Sequence, residues 1–223
     1  MALARPALLS QASCLAAGIG LHWTKPALWT TGQGDYPQRT GFRMNLWLRL
    51  LWLIATAFRR PRLRLPHGVS RLSFRVWPHD LDTSMHLNNG RYWTLMDLGR
   101  ADLMIGSGLW RPVLREGWTP VVSAGQIRFR RELRPFQAFE LQTRLLFWDD
   151  TRIVIEHRLS IPRTDTVAAV ALVQAGLYDR KRKNFVTVET MMRLAGVVAE
   201  TPVMTPAVEA FLASNSALRQ STS

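Results

Sequence analysis

One long helical pattern followed by almost nothing but strand patterns is the feature that most narrows the fold of this chain. Residues 89–105 place Tyr92, Leu95, Met96, Leu103 and Met104 at helical spacing around the small residues Gly99 and Ala101. Gly106 and Gly108 end that helix, and a loop containing Pro and Trp follows. Pro120–Arg130, Phe139–Trp148 and Arg152–Ile161 then alternate apolar and polar residues as half-buried strands do. Thr166–Tyr178 is nearly continuous in apolar residues, as a strand buried on both faces is. Leu72–Trp77, ahead of the helix, alternates as well. One helix cannot cover both faces of such a sheet. It can cover one, with the sheet curved around it, which predicts an α+β architecture. The other face and an edge then need cover of their own. A second copy of the chain is the simplest source, giving a homodimer or a dimer of dimers.

The rest of the chain divides around this body, which we place at residues 67–190. Asp179–Asn184 reads as a solvated loop, Phe185–Val188 as a short strand, and residues 191–223 as a helical tail. Residues 1–43 show no periodicity and no signal-peptide pattern. They read as a leader that is either disordered or not translated, with Met44 as the start. Residues 44–66 hold an apolar run, MNLWLRLLWLIATAF, and then the basic stretch RRPRLR. A membrane-spanning helix needs about 20 apolar residues, and Arg49 interrupts this run. Three readings stand: an in-plane or short membrane anchor held by Arg59, Arg60, Arg62 and Arg64, a helix packed on the domain or a partner, or a segment that is removed.

Charge sharpens this division. The net charge is +13. Residues 1–79 hold 11 Lys/Arg and one acid, and residues 80–223 hold 18 Lys/Arg and 15 acids, so +10 of the total lies in the N-terminal third. No zinc-ligand set, helix-turn-helix pattern or aromatic-and-basic sheet signature accompanies the charge, so no nucleic-acid partner is expected. A basic segment beside an apolar run suits an anionic membrane surface. The single cysteine, Cys14, excludes an intrachain disulfide, and no Cys/His cluster has metal-ligand spacing. No metal and no cofactor are expected. The compartment expected is the cytoplasm, with attachment to the inner membrane surface as the variant that residues 44–64 suggest.

The chemistry-bearing stretch is Asp80–Tyr92, DLDTSMHLNNGRY. It sets two carboxylates, an imidazole and two carboxamides in one turn that runs into a helix N-terminus. Such a terminus carries unpaired N–H groups and the positive end of the helix dipole, which can polarise a carbonyl oxygen. A nearby carboxylate can act as nucleophile or as general base toward water. Each residue alone also has an ordinary structural use, Asn as an N-cap and Asp in a turn.

The pattern DLDxxxHxNNxxY resembles the motif of hotdog-fold thioesterases, the superfamily that includes 4-hydroxybenzoyl-CoA thioesterase and plant acyl-ACP thioesterases. It is especially similar to the latter and to the family of thioesterase superfamily member 6. The likeness covers about residues 70–190, and the apolar leader is similar to that of the last family. The resemblance implies hydrolysis of an acyl-CoA or acyl-carrier thioester, with CoA entering as part of the substrate. It assigns Asp82 as base or nucleophile and the Asn89 backbone N–H as the group that polarises the carbonyl. His86 and Asn88 would shape the loop or orient water, although a purely structural histidine remains an equal reading of His86. Asp80 would structure the turn, and Tyr92 and Asp97 would face the substrate. Arg128 and Arg130, with Arg131 and Arg134, either steer an anionic CoA or form a solvated edge that blocks aggregation. One departure stands out: many relatives carry Gly before the motif histidine, and this chain has Met85. The alternative function is a non-catalytic acyl-binding or membrane-associated hotdog protein.

Overall fold

The computed structural model describes residues 46–57, 62–162 and 164–221. The chain runs α1 (Leu46–Ala57), β1 (Val69–Arg75), a 3-10 turn (Pro78–Asp80), α2 (Asn89–Gly106) and α3 (Trp110–Glu116). It continues with β2 (Trp118–Phe129), β3 (Ala138–Trp148), β4 (Ile153–Ile161), β5 (Thr166–Asp179), β6 (Asn184–Phe185), α4 (Val188–Leu194) and α5 (Pro206–Gln220). The strands form one antiparallel sheet in the order β1-β3-β4-β5-β2, with β6 paired to the end of β5. This is the expected α+β hotdog arrangement, a curved sheet around α2.

The sheet wraps α2 because both surfaces are shaped for close approach. Gly99 sits against Thr143 and Leu141 of β3, and a Cβ there would collide with the Thr143 hydroxyl. Ala169 and Ala171 of β5 are fully buried in the same core as Leu95, Met96, Leu98, Phe139 and Leu141. Small residues on both sides let the helix axis settle close to the strands, which raises packing density and apolar burial together. Pro120, inside β2, is tolerated because β2 ends the sheet and a strand at the edge has one unpaired side.

Three sequence expectations change here. The loop expected after α2 contains a helix, α3, because Pro112 falls in its first turn, where N–H groups have no intrahelical acceptor. Gly117, at φ 70°, ends it. The strand expected over Phe185–Val188 shrinks to Asn184–Phe185. Thr187 instead caps α4, its hydroxyl accepting from the Thr190 N–H at 3.3 Å. Third, the outer face of the sheet, for which a second copy was the expected cover, is covered in part by the chain itself. The chain's own α5 covers part of it, burying Val208 and Phe211 against Val154 and Leu172.

The apolar run after Met44 folds as α1 and packs on the body. Leu53 joins the core under α2, with Leu50 packed beside it. The opposite side of α1 stays open: Trp47 is 72% exposed and Leu51 60%, with Leu48, Trp52 and Ile54 also exposed. Among the described residues no helix is long and apolar enough to cross a membrane. The expectation for residues 1–43 lies outside the described residues.

Candidate active site

The loop between β1 and α2 is held in shape mainly by its own backbone. Leu81 and Leu87 form a two-residue bridge, and the Asp82 N–H donates to the His86 carbonyl at 2.9 Å. The Leu87 N–H donates to Leu133 O at 2.9 Å, which ties the loop to the segment after β2. At its base the Asn88 N–H donates to the Asp80 carbonyl, also 2.9 Å. The tip turns at Met85, whose φ of 61° lies in the left-handed region. Glycine adopts that conformation without the steric cost a side chain brings. The turn needs that backbone angle, and Met85 meets it with its side chain 59% exposed.

Asp82 is anchored on one side only. Its Oδ1 accepts from the backbone N–H groups of Ser84 at 2.9 Å and His86 at 3.2 Å. Its Oδ2 receives no hydrogen bond among the described residues. Asn88 caps α2, Oδ1 accepting from the Gly90 N–H at 2.8 Å. The Asn89 N–H, the first of the helix, meets no acceptor among the described residues, and Asn89 is exposed. An 18-residue helix stands behind that group, so its dipole adds to the positive potential there. Tyr92, one turn further on, is buried, with its ring 5.0 Å from that of Phe129. Burial, and then the charge of Asp82, push its phenol up to about 12. It is therefore protonated at neutral pH and available as a donor.

The other candidates divide. The imidazole of His86 pairs with Glu132, Nε2 lying 3.1 Å from Oε2. Arg134 and then His86 hold the Glu132 carboxyl below its usual range. Asp80 is buried and takes hydrogen bonds from Arg49 at 2.8 Å and from the Trp77 N–H at 3.1 Å. Asp97 lies eight residues into α2, about 12 Å along the axis from Asn89, and pairs with Arg100. Arg128 and Arg130 alternate with Phe129, which meets Tyr92 on the concave side, so they point from the opposite face. Arg130 there adds its charge to that of Arg158 and Arg144. The structure thus gathers Asp82, Asn88, Asn89 and Tyr92. It does not bring Asp97, Arg128 or Arg130 to them within one chain.

The sequence reading missed a second polar group. His157 of β4 is wholly buried under α2, with Nδ1 3.0 Å from Thr143 Oγ1 and Nε2 3.1 Å from Arg100 Nη1. A guanidinium only donates, so Nε2 is the acceptor and Nδ1 carries the proton. Burial, and then the Arg100 charge, keep the imidazole neutral by lowering its pKa well below 6.5. Arg100 and Asp97 border an otherwise apolar pocket of about 250 Å³, lined by Leu103, Met104, Ile155 and Leu177 among others.

Comparison with known proteins agrees with this architecture. Three solved structures align over most of their own length. The probable thioesterase YbaW of Escherichia coli has a TM-score of 0.53 and 20% identity, covering 56% of this chain and 94% of its own. A 1,4-dihydroxy-2-naphthoyl-CoA thioesterase of Synechocystis has a TM-score of 0.51 and 9% identity, covering 57% and 95%. A Staphylococcus aureus protein solved in complex with CoA has a TM-score of 0.53 and 13% identity, covering 66% and 92%. These likenesses define a hotdog-fold protein. The family model described as Thioesterase-like superfamily matches residues 76–212, and the chain belongs to that family. Among curated relatives, Protein THEM6 of Xenopus laevis is 40% identical over 97 residues, 44% of this chain and 47% of that protein. Protein THEM6 of Danio rerio is 29% identical over 143 residues, 64% and 71% respectively. The match with the Xenopus relative thus spans about half of that protein's length.

Proposed function

We propose that this chain hydrolyses an acyl-CoA or acyl-carrier thioester to the free acid and the thiol. The observation that carries the reading is a half-anchored Asp82 carboxylate on the loop that leads into the unbonded Asn89 N–H at the head of α2. Acting as base, Asp82 Oδ2 takes a proton from water while the water oxygen bonds to the thioester carbon. The carbonyl oxygen gains the negative charge, which the Asn89 N–H and the helix dipole stabilise. When the carbonyl re-forms, the C–S bond breaks and the thiolate leaves, taking the proton back from Asp82. Acting as nucleophile, the same oxygen would bond to the acyl carbon as the C–S bond breaks and the thiolate leaves, and water would then open the mixed anhydride to the free acid and the Asp82 carboxylate. Both routes use the oxygen that no backbone N–H holds.

Asn88 and His86 support this geometry through the helix cap and the loop backbone, and the Tyr92 phenol is a donor beside Asp82. Arg128 and Arg130 serve as long-range attraction for an anionic donor, not as contacts from the same chain. Asp97 acts at the far pocket. A second copy pairs along the open β2 edge, and the exposed face of α1 rests on a membrane surface. Free-thiol release from a panel of short, long and aromatic acyl-CoAs, wild type against Asp82→Asn, tests the reading. Turnover that collapses in the variant supports it, and equal turnover in both proteins removes Asp82 from the mechanism.

A further inference from the structure

Arg49 is the one charged residue of α1, and its helix precedes the span that the family model matches. A charge in an apolar helix is costly unless it finds a partner. Its partner is in the candidate site. Nη2 donates to Asp80 Oδ2 at 2.8 Å, with the two side chains only 9% and 2% exposed. Asp80 has two other cationic neighbours, both weaker: His79 Nε2 at 3.4 Å and Arg91 Nε at 3.6 Å. Arg91 also donates to the His79 carbonyl at 3.1 Å. Arg49 is thus the nearest and most buried cation on this carboxylate. The backbone of Asp80 then carries the tie onward, because its carbonyl holds the Asn88 N–H and Asn88 caps α2. Asp82 lies two residues beyond Asp80, behind the Leu81–Leu87 bridge.

We propose that Arg49 is a positioning residue for the reaction: through Asp80 it sets the separation between the Asp82 carboxylate and the Asn89 amide. This rests on the thioesterase reading given above. It makes α1 part of the site's framework as well as an appended apolar helix. The closest alternative is that the Arg49–Asp80 pair merely stabilises the fold, and the test separates the two.

The full chain would be compared with Arg49→Lys, Arg49→Met and Val154→Ala. The last removes core volume under α5, away from the loop, and serves as a control of general stability. Residue-resolved hydrogen exchange would read the Asp82 and Asn88 amides, which the loop bonds protect. In Arg49→Met both should exchange about tenfold faster or more, relative to the change in global stability, whereas in Val154→Ala they should follow global stability alone. Arg49→Lys should recover part of the protection. Under the thioesterase reading, kcat of Arg49→Met falls ~10–100-fold while KM holds. If Arg49→Met does not fold, the double variant Arg49→Met/Asp80→Asn, which leaves no buried unpaired charge, carries the same readout. Loop exchange unchanged, or raised equally in Val154→Ala, overturns the proposal. Absence of turnover in wild type overturns the thioesterase reading, and the exchange comparison still decides the role of Arg49.

Discussion

The head and the middle of α2 carry similar side chains in opposite circumstances. At the head, Asp82 keeps one oxygen clear, the Asn89 N–H meets no acceptor, and His86 is half-exposed against Glu132. At the middle of the helix, Asp97 is taken by Arg100, Arg100 by His157, and His157 by Thr143. His157 and Thr143 are fully buried and bond to a neighbour, as burial requires, while Asp97 closes the chain from the exposed side. The same residue types therefore serve two purposes. At the head of the helix an oxygen and an N–H stay without a partner; around His157 the buried groups stabilise one another.

The sharpest way to break this contrast is Asp82→Asn. It should lower kcat/KM by ~10²–10⁴-fold with little change in melting temperature, as read by thiol release and calorimetry. The opposite pattern is expected at the middle of the helix. His157→Leu leaves Arg100 and Thr143 without their acceptor and donor, and should destabilise the fold by ~2–3 kcal/mol in urea titration. Turnover per folded molecule should be unchanged.

His157 also sharpens the contrast through pH. It is neutral when folded and has an ordinary value of 6.5 when unfolded. Below 6.5 the unfolded chain binds a proton that the folded chain refuses, so folding stability falls as pH drops. The contribution is complete above 6.5 and is lost below it, at a slope of at most about 1.4 kcal/mol per pH unit. Urea midpoints from pH 7.5 to 5.0 should show this dependence, and His157→Gln should flatten it.

The smallest effects belong to the head. Asn88→Ala removes the α2 cap and should cost ~1 kcal/mol. Met85→Gly should stabilise by up to ~1 kcal/mol, because glycine takes a φ of 61° without the left-handed penalty and offsets part of that gain with its own chain entropy. Thermal melts of both variants check these signs.

Much of the fold was legible in residue order. The alternation of Ile127 and Phe129 with Arg128 and Arg130, the continuous run in β5, and the small residues of α2 each report a local period or a local size. Those follow from backbone geometry within a few residues. The head of α2 was legible for the same reason, since Asn88 caps by bonding two residues ahead. The seven-residue α3 was not, because a helix that short is stabilised by what it packs on and not by its own propensity.

The candidate site was legible in part. Asp82, Asn88, Asn89 and Tyr92 lie within eleven residues, so the loop that joins them is written in one stretch of sequence. The partners that give them their character lie far along the chain. Arg49 meets Asp80 across 31 positions, and His86 finds Glu132 after β2. Arg100 and His157 are separated by 57. Sequence alone showed that a charge interrupts an apolar helix and that two carboxylates stand before another. The tertiary structure decided which carboxylate is buried against that charge and which keeps an oxygen clear, because hydrogen bonding and desolvation depend on neighbours in space and not in sequence.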